Sequence, residues 1–267
     1  MLDIQSIIIF LALGSFVGVV AGLFGIGGGG LIVPILTMFL LSHEFGGDEV
    51  VQISLATSIA VISITSISSF RAQHKKKAVR WDIFKMIAPG VIVGTFMFTF
   101  VASNINSFYL SVFFSIFMLY AAYKMFFGKK AEGEGTIIGR SGQFFAGFGI
   151  GGISALVSIG GGMLSVPYLV KQNIDMKKAI GTSSAIGFPL AISGTLGYII
   201  NGYSHTSIDT MMLGYVYVPA FVCIAFASYL TAPIGVNLSH KLPIVMLKKI
   251  FGILLLILSI KMMLELI

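Results

Sequence analysis

The sequence predicts an all-α, polytopic membrane protein, and the composition and the distribution of apolar residues lead to that class. The chain of 267 residues is 57% hydrophobic and only 10% charged, with a mean hydropathy of +0.99. Soluble domains carry about 25% charged residues, so this chain has too few polar side chains to cover a surface that faces water. Apolar stretches of span length recur from end to end. We therefore expect a multi-pass membrane protein, with the lipid bilayer as a partner.

A glycine-rich motif occurs twice. Residues 22–36 (GLFGIGGGGLIVPIL) align without a gap on residues 155–169 (ALVSIGGGMLSVPYL). A second pair of similar segments, ATS at 56–58 and GTS at 181–183, follows in the same order. A third, weaker pair consists of residues 81–82 and 208–209, each at the start of a long apolar run. Such self-similarity indicates a duplication. We predict a first membrane repeat at 1–127, a polar cytoplasmic linker at 128–140 and a second membrane repeat at 141–267.

Each repeat contains five apolar runs, and the second run of each is short. The runs lie at 4–24, 29–41, 50–70, 81–101 and 107–127, and then at 141–158, 162–171, 177–200, 209–232 and 247–266. A short run of this kind cannot cross a hydrocarbon core of about 30 Å. If the short run counts as a separate segment, each half has five segments. If it merges with the preceding run, each half has four. Five segments per half invert the second repeat, whereas four leave the halves parallel.

The basic residues favour inversion. If the cluster at 71–85 is cytoplasmic and each half has five segments, every Lys and Arg except Lys261 lies on the cytoplasmic side. With four segments per half, two of the basic groups move outside, against the rule that positive residues stay inside. We therefore predict two inverted repeats of about five transmembrane segments each, with both chain termini outside. Because the positive charges orient the chain in the membrane, nucleic acid is not an expected partner.

Each glycine run is expected to break the helical backbone and to precede a short helix. Glycine has no Cβ and leaves backbone N–H groups accessible, and Pro34 and Pro167 follow near the first turn, where a missing N–H costs least. A break at membrane depth is tolerated only where it is buried in protein or lines a cavity. The helix N-terminus there offers N–H groups and a positive dipole end to an oxyanion. The alternative is that the glycines only let helices pack closely.

Other site chemistries have little support in the sequence. Residues 25–30 satisfy the pattern GxGxxG, but the flanking segments are helical and the second copy breaks the pattern, so a dinucleotide site is not expected. The predicted spans contain no nucleophile–base pair, paired carboxylates or metal-ligand spacing. We expect no enzymatic activity, no metal and no cofactor. Asp82 and Asp209 are interpreted as helix caps, and the Thr-Ser pairs either as ligands or as backbone partners.

The doubled combination of Gly-x-Gly-Gly-Gly, a following Pro and a downstream Thr-Ser resembles the sulfite exporter TauE/SafE family over nearly the whole chain. The shared pattern includes Gly25, whose place in the second copy is taken by Ser158. The resemblance implies a multi-pass permease of the plasma (inner) membrane for small sulfur-containing anions such as sulfite or organosulfonates. We predict a secondary transporter, working as an exporter by alternating access, with an anion channel as the alternative. The predicted substrate-binding residues are Gly27, Gly28, Gly29, Gly30, Pro34, Thr57, Ser58, Gly160, Gly161, Gly162, Pro167, Thr182 and Ser183.

Overall fold

The computed structural model describes residues 3–25, 27–127, 136–203, 211–239, 241 and 244–265. Within these ranges the chain forms ten helices, five before the linker and five after it, and the predicted all-α class is confirmed. The helices of the first half are α1 (Ile4–Phe24), α2 (Gly29–Ser42), α3 (Val50–Lys75), α4 (Trp81–Asn104) and α5 (Ser107–Phe127). Those of the second half are α6 (Arg140–Val157), α7 (Gly162–Lys171), α8 (Met176–Gly202), α9 (Val218–Ser239) and α10 (Ile244–Glu265).

The helices differ in their ability to cross a bilayer. Six of them, α1, α3, α4, α5, α8 and α9, are long and apolar enough to do so, which makes the chain a multi-pass protein. Helices α2 and α7 have only 14 and 10 residues. At a rise of 1.5 Å per residue they reach about 21 Å and about 15 Å, half to two thirds of the hydrocarbon thickness.

The predicted span at 209–232 is wrong, because α9 begins at Val218 and ends at Ser239. Two short strands, β1 (Met212–Leu213) and β2 (Val216–Tyr217), form an antiparallel hairpin just before it. Tyr215 in the hairpin is fully buried. Because the hairpin residues are mostly apolar, their hydropathy does not distinguish them from a helical run in the sequence. Asp209, which aligns with Asp82 in the weakest of the three sequence matches, lies outside the described residues. Residues 128–135 of the predicted linker lie outside them as well.

The main contacts between helices of the two halves come in equivalent pairs. Where two helices pack together, their counterparts in the opposite halves pack together as well. Helix α1 packs along α9, and its counterpart α6 packs along α4. Helices α3 and α8 pack against each other, and so do α5 and α10. The arrangement therefore has an approximate two-fold relation, with α3 and α8 next to its axis.

Helices α3 and α8 run in opposite directions. A Cβ atom added at Gly194 would lie 2.9 Å from Ile59 Cγ2, and one added at Gly187 would lie 3.7 Å from Ser66 Cβ. Rising residue numbers in α3 thus meet falling numbers in α8. Two equivalent helices of a duplication would be parallel here if both repeats had the same orientation.

Helices α1 and α9, in contrast, run in the same direction. A Cβ atom added at Gly14 would lie 2.8 Å from Ile224 Cα, and one added at Gly22 would lie 2.8 Å from the backbone nitrogen of Val236. The first helix of one half is therefore parallel to the fourth helix of the other. Small residues permit such close helix approach in membranes, where packing is the main source of helix association.

Cationic residues gather at one end of the bundle, which we call the basic face: Lys76, Arg80, Lys85, Arg140, Lys177 and Lys178. The backbone N–H of Arg80 donates to Thr182 Oγ1 at 3.0 Å, which joins the start of α4 to the start of α8. Lys76 Nζ donates to the Val236 carbonyl oxygen at 3.4 Å. Burial and the nearby Lys241 ammonium lower the pKa of Lys76.

The opposite end carries Asp48 and Glu49, whereas Asp82 and Asp175 lie at the basic face. Tyr215 of the hairpin donates from its hydroxyl to Glu49 Oε1 at 3.2 Å. Burial raises the pKa of Tyr215, and the Glu49 carboxylate raises it further, so this phenol stays protonated at neutral pH. Between the two ends, the buried polar side chains of the described residues are all Ser, Thr or Gln. The part of the interior that the structure describes is thus uncharged, and cations are concentrated at one end.

Candidate functional site

The two glycine loops contact each other at mid-length of α3 and α8. We call the described residues 25 and 27–29 the first loop and residues 158–162 the second loop. A Cβ atom at Gly29 would overlap the Ser158 carbonyl oxygen, and one at Gly27 would lie 3.0 Å from Gly160 Cα. The approach is therefore possible only for residues without side chains at these positions. The two copies of the motif meet in the interior of the bundle.

Both short helices begin at a glycine with a left-handed backbone. Gly28 is the N-cap of α2 with φ 80°, and Gly161 is the N-cap of α7 with φ 73°. This conformation costs residues with a side chain about 1–2 kcal/mol, which explains the glycine at each position. Ser158 also has a positive φ of 47°, and its hydroxyl donates to the Leu55 carbonyl at 3.0 Å. That hydrogen bond offsets the strain at the position where the first copy has Gly25.

The first N–H groups of α2 and α7 lie at the contact between the loops. The Gly28 carbonyl accepts from the N–H of Leu31 at 3.1 Å, and the Gly161 carbonyl accepts from that of Leu164 at the same distance. The N–H groups of the residues in between have no acceptor within their own helix. Each helix start also carries about half a positive charge from the aligned peptide dipoles. Of the predicted glycines, Gly27 and Gly29 thus lie against the second loop, whereas Gly30 lies against Met118 and Leu255.

The two prolines differ in their surroundings. Pro34 and Pro167 are each the sixth residue of their helix, one turn further in than expected. Pro34 is buried, whereas Pro167 is exposed. Proline in a helix interior removes an i to i−4 hydrogen bond, so each leaves a carbonyl near the helix start without its usual donor. The structure does not bring Pro167 to the contact between the loops.

The two threonines connect the halves. Thr57 Oγ1 accepts from the N–H of Tyr217 at 2.9 Å, and Thr182 Oγ1 accepts from the N–H of Arg80 at 3.0 Å. Each acceptor lies in the third helix of one half, and each donor immediately precedes the fourth helix of the other. Both hydroxyls therefore satisfy an N–H group at a helix start, as an N-cap side chain does.

The two serines next to these threonines lie at the glycine loops. Ser58 is fully buried, and its hydroxyl has no hydrogen-bond partner among the described residues. A Cβ at Gly29 would lie 3.0 Å from this oxygen. Its counterpart Ser183 accepts from Ser165 Oγ at 2.7 Å and donates to the Gly25 carbonyl at 3.4 Å. Because buried hydroxyls are normally paired, Ser58 has the greater capacity to bind a ligand.

A small cavity adjoins the loops on the side of the basic face. Its volume is about 10 Å³, roughly what one water molecule needs. Ser66, Ser69 and Ser184 provide its hydroxyl groups, and Ser69 Oγ is buried without a partner among the described residues. These serines are absent from the predicted site because the glycine motif does not include them. The signal that points to them is the serine-rich stretch at 63–69. The cavity is lined by Ala21, Gly25, Gly27, Ile62, Ser66, Ser69, Gly160, Ser184 and Gly187.

The corresponding contact between α3 and α8 on the other side of the loops is apolar. In the aligned repeats, Ser66 and Ser69 correspond to Ala191 and Gly194, and Ser184 corresponds to Ile59. Ile59 and Gly194 pack tightly, since a Cβ on the glycine would lie 2.9 Å from Ile59 Cγ2. Between α3 and α8, the hydroxyl-lined cavity therefore lies on the side of the basic face.

Membrane-length helices, paired short helices that meet in the interior and an uncharged buried core are the features of a multi-pass membrane transporter. The chain belongs to the sulfite exporter TauE/SafE family, which it matches over residues 10–262.

Its relatives are named as transporters. It is 33% identical to a "Probable membrane transporter protein" of Haemophilus influenzae over 97% of this chain and 98% of the relative. It is 28% identical to another protein of that description from Methanocaldococcus jannaschii, over 92% of both chains. The probable membrane transporter protein YunE of Bacillus subtilis is 30% identical over 74% of this chain and 80% of that protein. No solved structure matches the chain. Family and relatives support transport and not catalysis.

Proposed function

We propose that the protein is a secondary transporter that exports a small oxyanion, such as sulfite or an organosulfonate, from the cytoplasm across the plasma membrane. The anion binds where the two glycine loops meet, and the inverted halves move to expose that point to each side in turn. The observation that carries the proposal is the meeting of two short-helix N-termini in the interior of the bundle. The name of the family supports the choice of sulfur oxyanion.

The directions of the helices support the inversion. With five segments per half, α3 crosses in the opposite direction to α8, and α1 crosses in the same direction as α9. With four segments per half, α3 and α8 would be parallel. The antiparallel contacts of Ile59 with Gly194 and of Ser66 with Gly187 fit the five-segment arrangement. The grouping of cations on the basic face then makes that face cytoplasmic, by the positive-inside rule.

The charge at the loops favours a monoanion. Two helix N-termini supply about one positive charge in total, and no Lys or Arg is among the buried side chains of the described residues. A second negative charge would remain uncompensated in a medium of low dielectric constant, which is costly. A sulfonate or hydrogen sulfite carries one charge and offers several oxygen acceptors to backbone N–H groups and to Ser58. Sulfate and sulfite dianions fit this charge less well.

The closed state of the site supports alternating access. The cavity of about 10 Å³ beside the loops holds a single water at most, so an anion enters only after the halves have moved apart. The contact between Gly29 and the Ser158 carbonyl closes the passage between the two faces. An anion channel is the second candidate, because the same helix N-termini would line its pore.

Anion flux in proteoliposomes tests both candidates. We expect saturable uptake of sulfite, in its hydrogen sulfite form, and of the monoanion methanesulfonate, acceleration by the same anion on the opposite side, and weaker uptake of the dianions sulfate and thiosulfate. Repeating the measurement with and without a pH gradient identifies proton coupling. Flux that rises linearly with anion concentration and shows no acceleration by exchange would support the channel. The absence of flux for all four anions would contradict the proposed substrate class.

A further inference from the structure

A large cleft lies at the basic face between the first turns of α4 and α6, away from the glycine loops. Its volume is about 730 Å³, within the usual range for ligand pockets. The two helices pack tightly beneath it, since a Cβ on Gly90 would overlap the Phe144 carbonyl oxygen. Their side chains form the walls. The cleft is lined by Asp82, Lys85, Met86, Pro89, Arg140, Ser141, Phe144 and Phe145.

The upper part of the cleft carries an excess of positive charge. Lys85 and Arg140 are both exposed and face the same space. The nearby Asp82 is already neutralised, because Arg80 donates to both of its oxygens, at 2.9 Å and 2.6 Å. Lys85 and Arg140 therefore leave two positive charges available to a ligand.

The lower part of the cleft continues into an apolar, exposed surface. Pro89, Val93 and Met97 follow Lys85 at intervals of four residues, so they form one stripe along α4. Val93 and Met97 are exposed, as is Phe145 on the neighbouring helix. From Lys85 to Met97 the stripe is about 18 Å long, close to the hydrocarbon thickness of one bilayer leaflet, about 15 Å.

We propose that this cleft binds one anionic phospholipid, with its phosphate between Lys85 and Arg140 and an acyl chain along Phe145 and the α4 stripe. A cationic end joined to a leaflet-long apolar groove complements a molecule with a phosphate head and a hydrocarbon tail. A soluble anion would not use the stripe, and a neutral lipid would not use the two cations. Trp81, which is exposed at the start of α4, is typical of the membrane interface where such a head group lies. The site does not depend on which anion the protein transports.

Native mass spectrometry of the full-length chain, released from detergent, tests the proposal. Binding is measured for phosphatidylglycerol and phosphatidylcholine with identical acyl chains, and for glycerol 1-phosphate as the head group alone. The test variant is K85Q/R140Q. The matched control is K177Q/K178Q, which removes two exposed charges from the same face, outside the cleft. The conservative variant K85R/R140K keeps both charges.

We expect phosphatidylglycerol to bind in preference to phosphatidylcholine and to glycerol 1-phosphate. Each basic residue at an anionic lipid surface contributes roughly a fivefold factor, so K85Q/R140Q lowers the affinity about thirtyfold. K177Q/K178Q and K85R/R140K remain within about threefold of the wild type, on the same scale. Equal losses in K85Q/R140Q and K177Q/K178Q would show diffuse surface attraction and overturn the proposal. Equal binding of phosphatidylcholine, or equally tight binding of glycerol 1-phosphate, would overturn it as well.

Discussion

Replacing Gly29 by alanine tests the contact between the glycine loops with a single methyl group. The new Cβ would overlap the Ser158 carbonyl oxygen and would lie 3.0 Å from Ser58 Oγ. Because carbon and oxygen atoms pack at roughly 3.5 Å, the loops would have to separate by on the order of an ångström or more. Overpacking of this kind costs about 1–3 kcal/mol. If the overpacking raises the free energy of the closed state alone by about 2 kcal/mol, a transport cycle that has to pass through that state would be about thirtyfold slower.

The assay is the initial rate of saturable anion uptake in proteoliposomes, with the melting temperature in detergent measured in parallel. The matched control is Gly149→Ala in α6, where the added Cβ would have no neighbour within 4 Å. We expect Gly29→Ala to insert and fold with a lowered melting temperature and at least a tenfold lower transport rate, in line with that overpacking cost. Gly149→Ala should transport like the wild type. A folded Gly29→Ala protein with normal uptake would refute the view that close contact of the loops is part of the transport cycle.

Three further predictions separate the roles of neighbouring residues. At Gly161, φ is 73°, and an added Cβ would meet its nearest atom only at 3.4 Å. Gly161→Asn should therefore retain more transport than Gly161→Val, because Asn tolerates a left-handed backbone. Equal loss of transport in both variants would assign the glycine a steric role. Thr57→Val and Thr182→Val should each destabilise the protein by about 1–3 kcal/mol, because an N–H group between the halves loses its acceptor. The corresponding Thr→Ser variants should restore the melting temperature, and a stable Val variant would show that these hydrogen bonds are dispensable. Ser69→Ala should leave stability nearly unchanged but raise the half-saturating anion concentration about tenfold, the effect of one lost hydrogen bond to a charged group. Ser63→Ala is its control, since that hydroxyl already donates to the Ala60 carbonyl at 2.6 Å, and equal affinities in both variants would remove Ser69 from the site.

The number of helices and the position of the glycine loops could be predicted from the sequence because both depend on local pattern. The short helices were expected at 29–41 and 162–171 and are found at Gly29–Ser42 and Gly162–Lys171. Glycine runs end helices through backbone freedom, and span length follows from hydropathy. These signals need no knowledge of how the halves pack.

The start of α9 and the roles of the hydroxyl groups could not be predicted, because they depend on contacts distant in the sequence. The hairpin at 212–217 is apolar, so hydropathy alone extends the helix into it. Thr57 and Thr182 belong to a duplicated Thr-Ser pair, which fits a ligand role and a structural one equally well. Only the partners, the N–H groups of Tyr217 and Arg80, separate the threonines from the adjacent serines.

The two repeats differ in the residues that lie between α3 and α8 on either side of the glycine loops, and this difference affects access to the site. On the basic-face side of the loops, α3 and α8 are separated by the hydroxyl-lined cavity of Ser66, Ser69 and Ser184. On the other side, the corresponding contact is the tight packing of Ile59 on Gly194. Opening the apolar contact exposes hydrocarbon to water at about 25 cal/mol per Å², whereas opening the polar one lets water bind hydroxyls that have unused capacity, such as Ser69. We therefore expect opening toward the basic face to cost less, and we expect an empty transporter to rest with its site closer to that side. For an exporter with a cytoplasmic basic face, this is the side from which the anion is taken up.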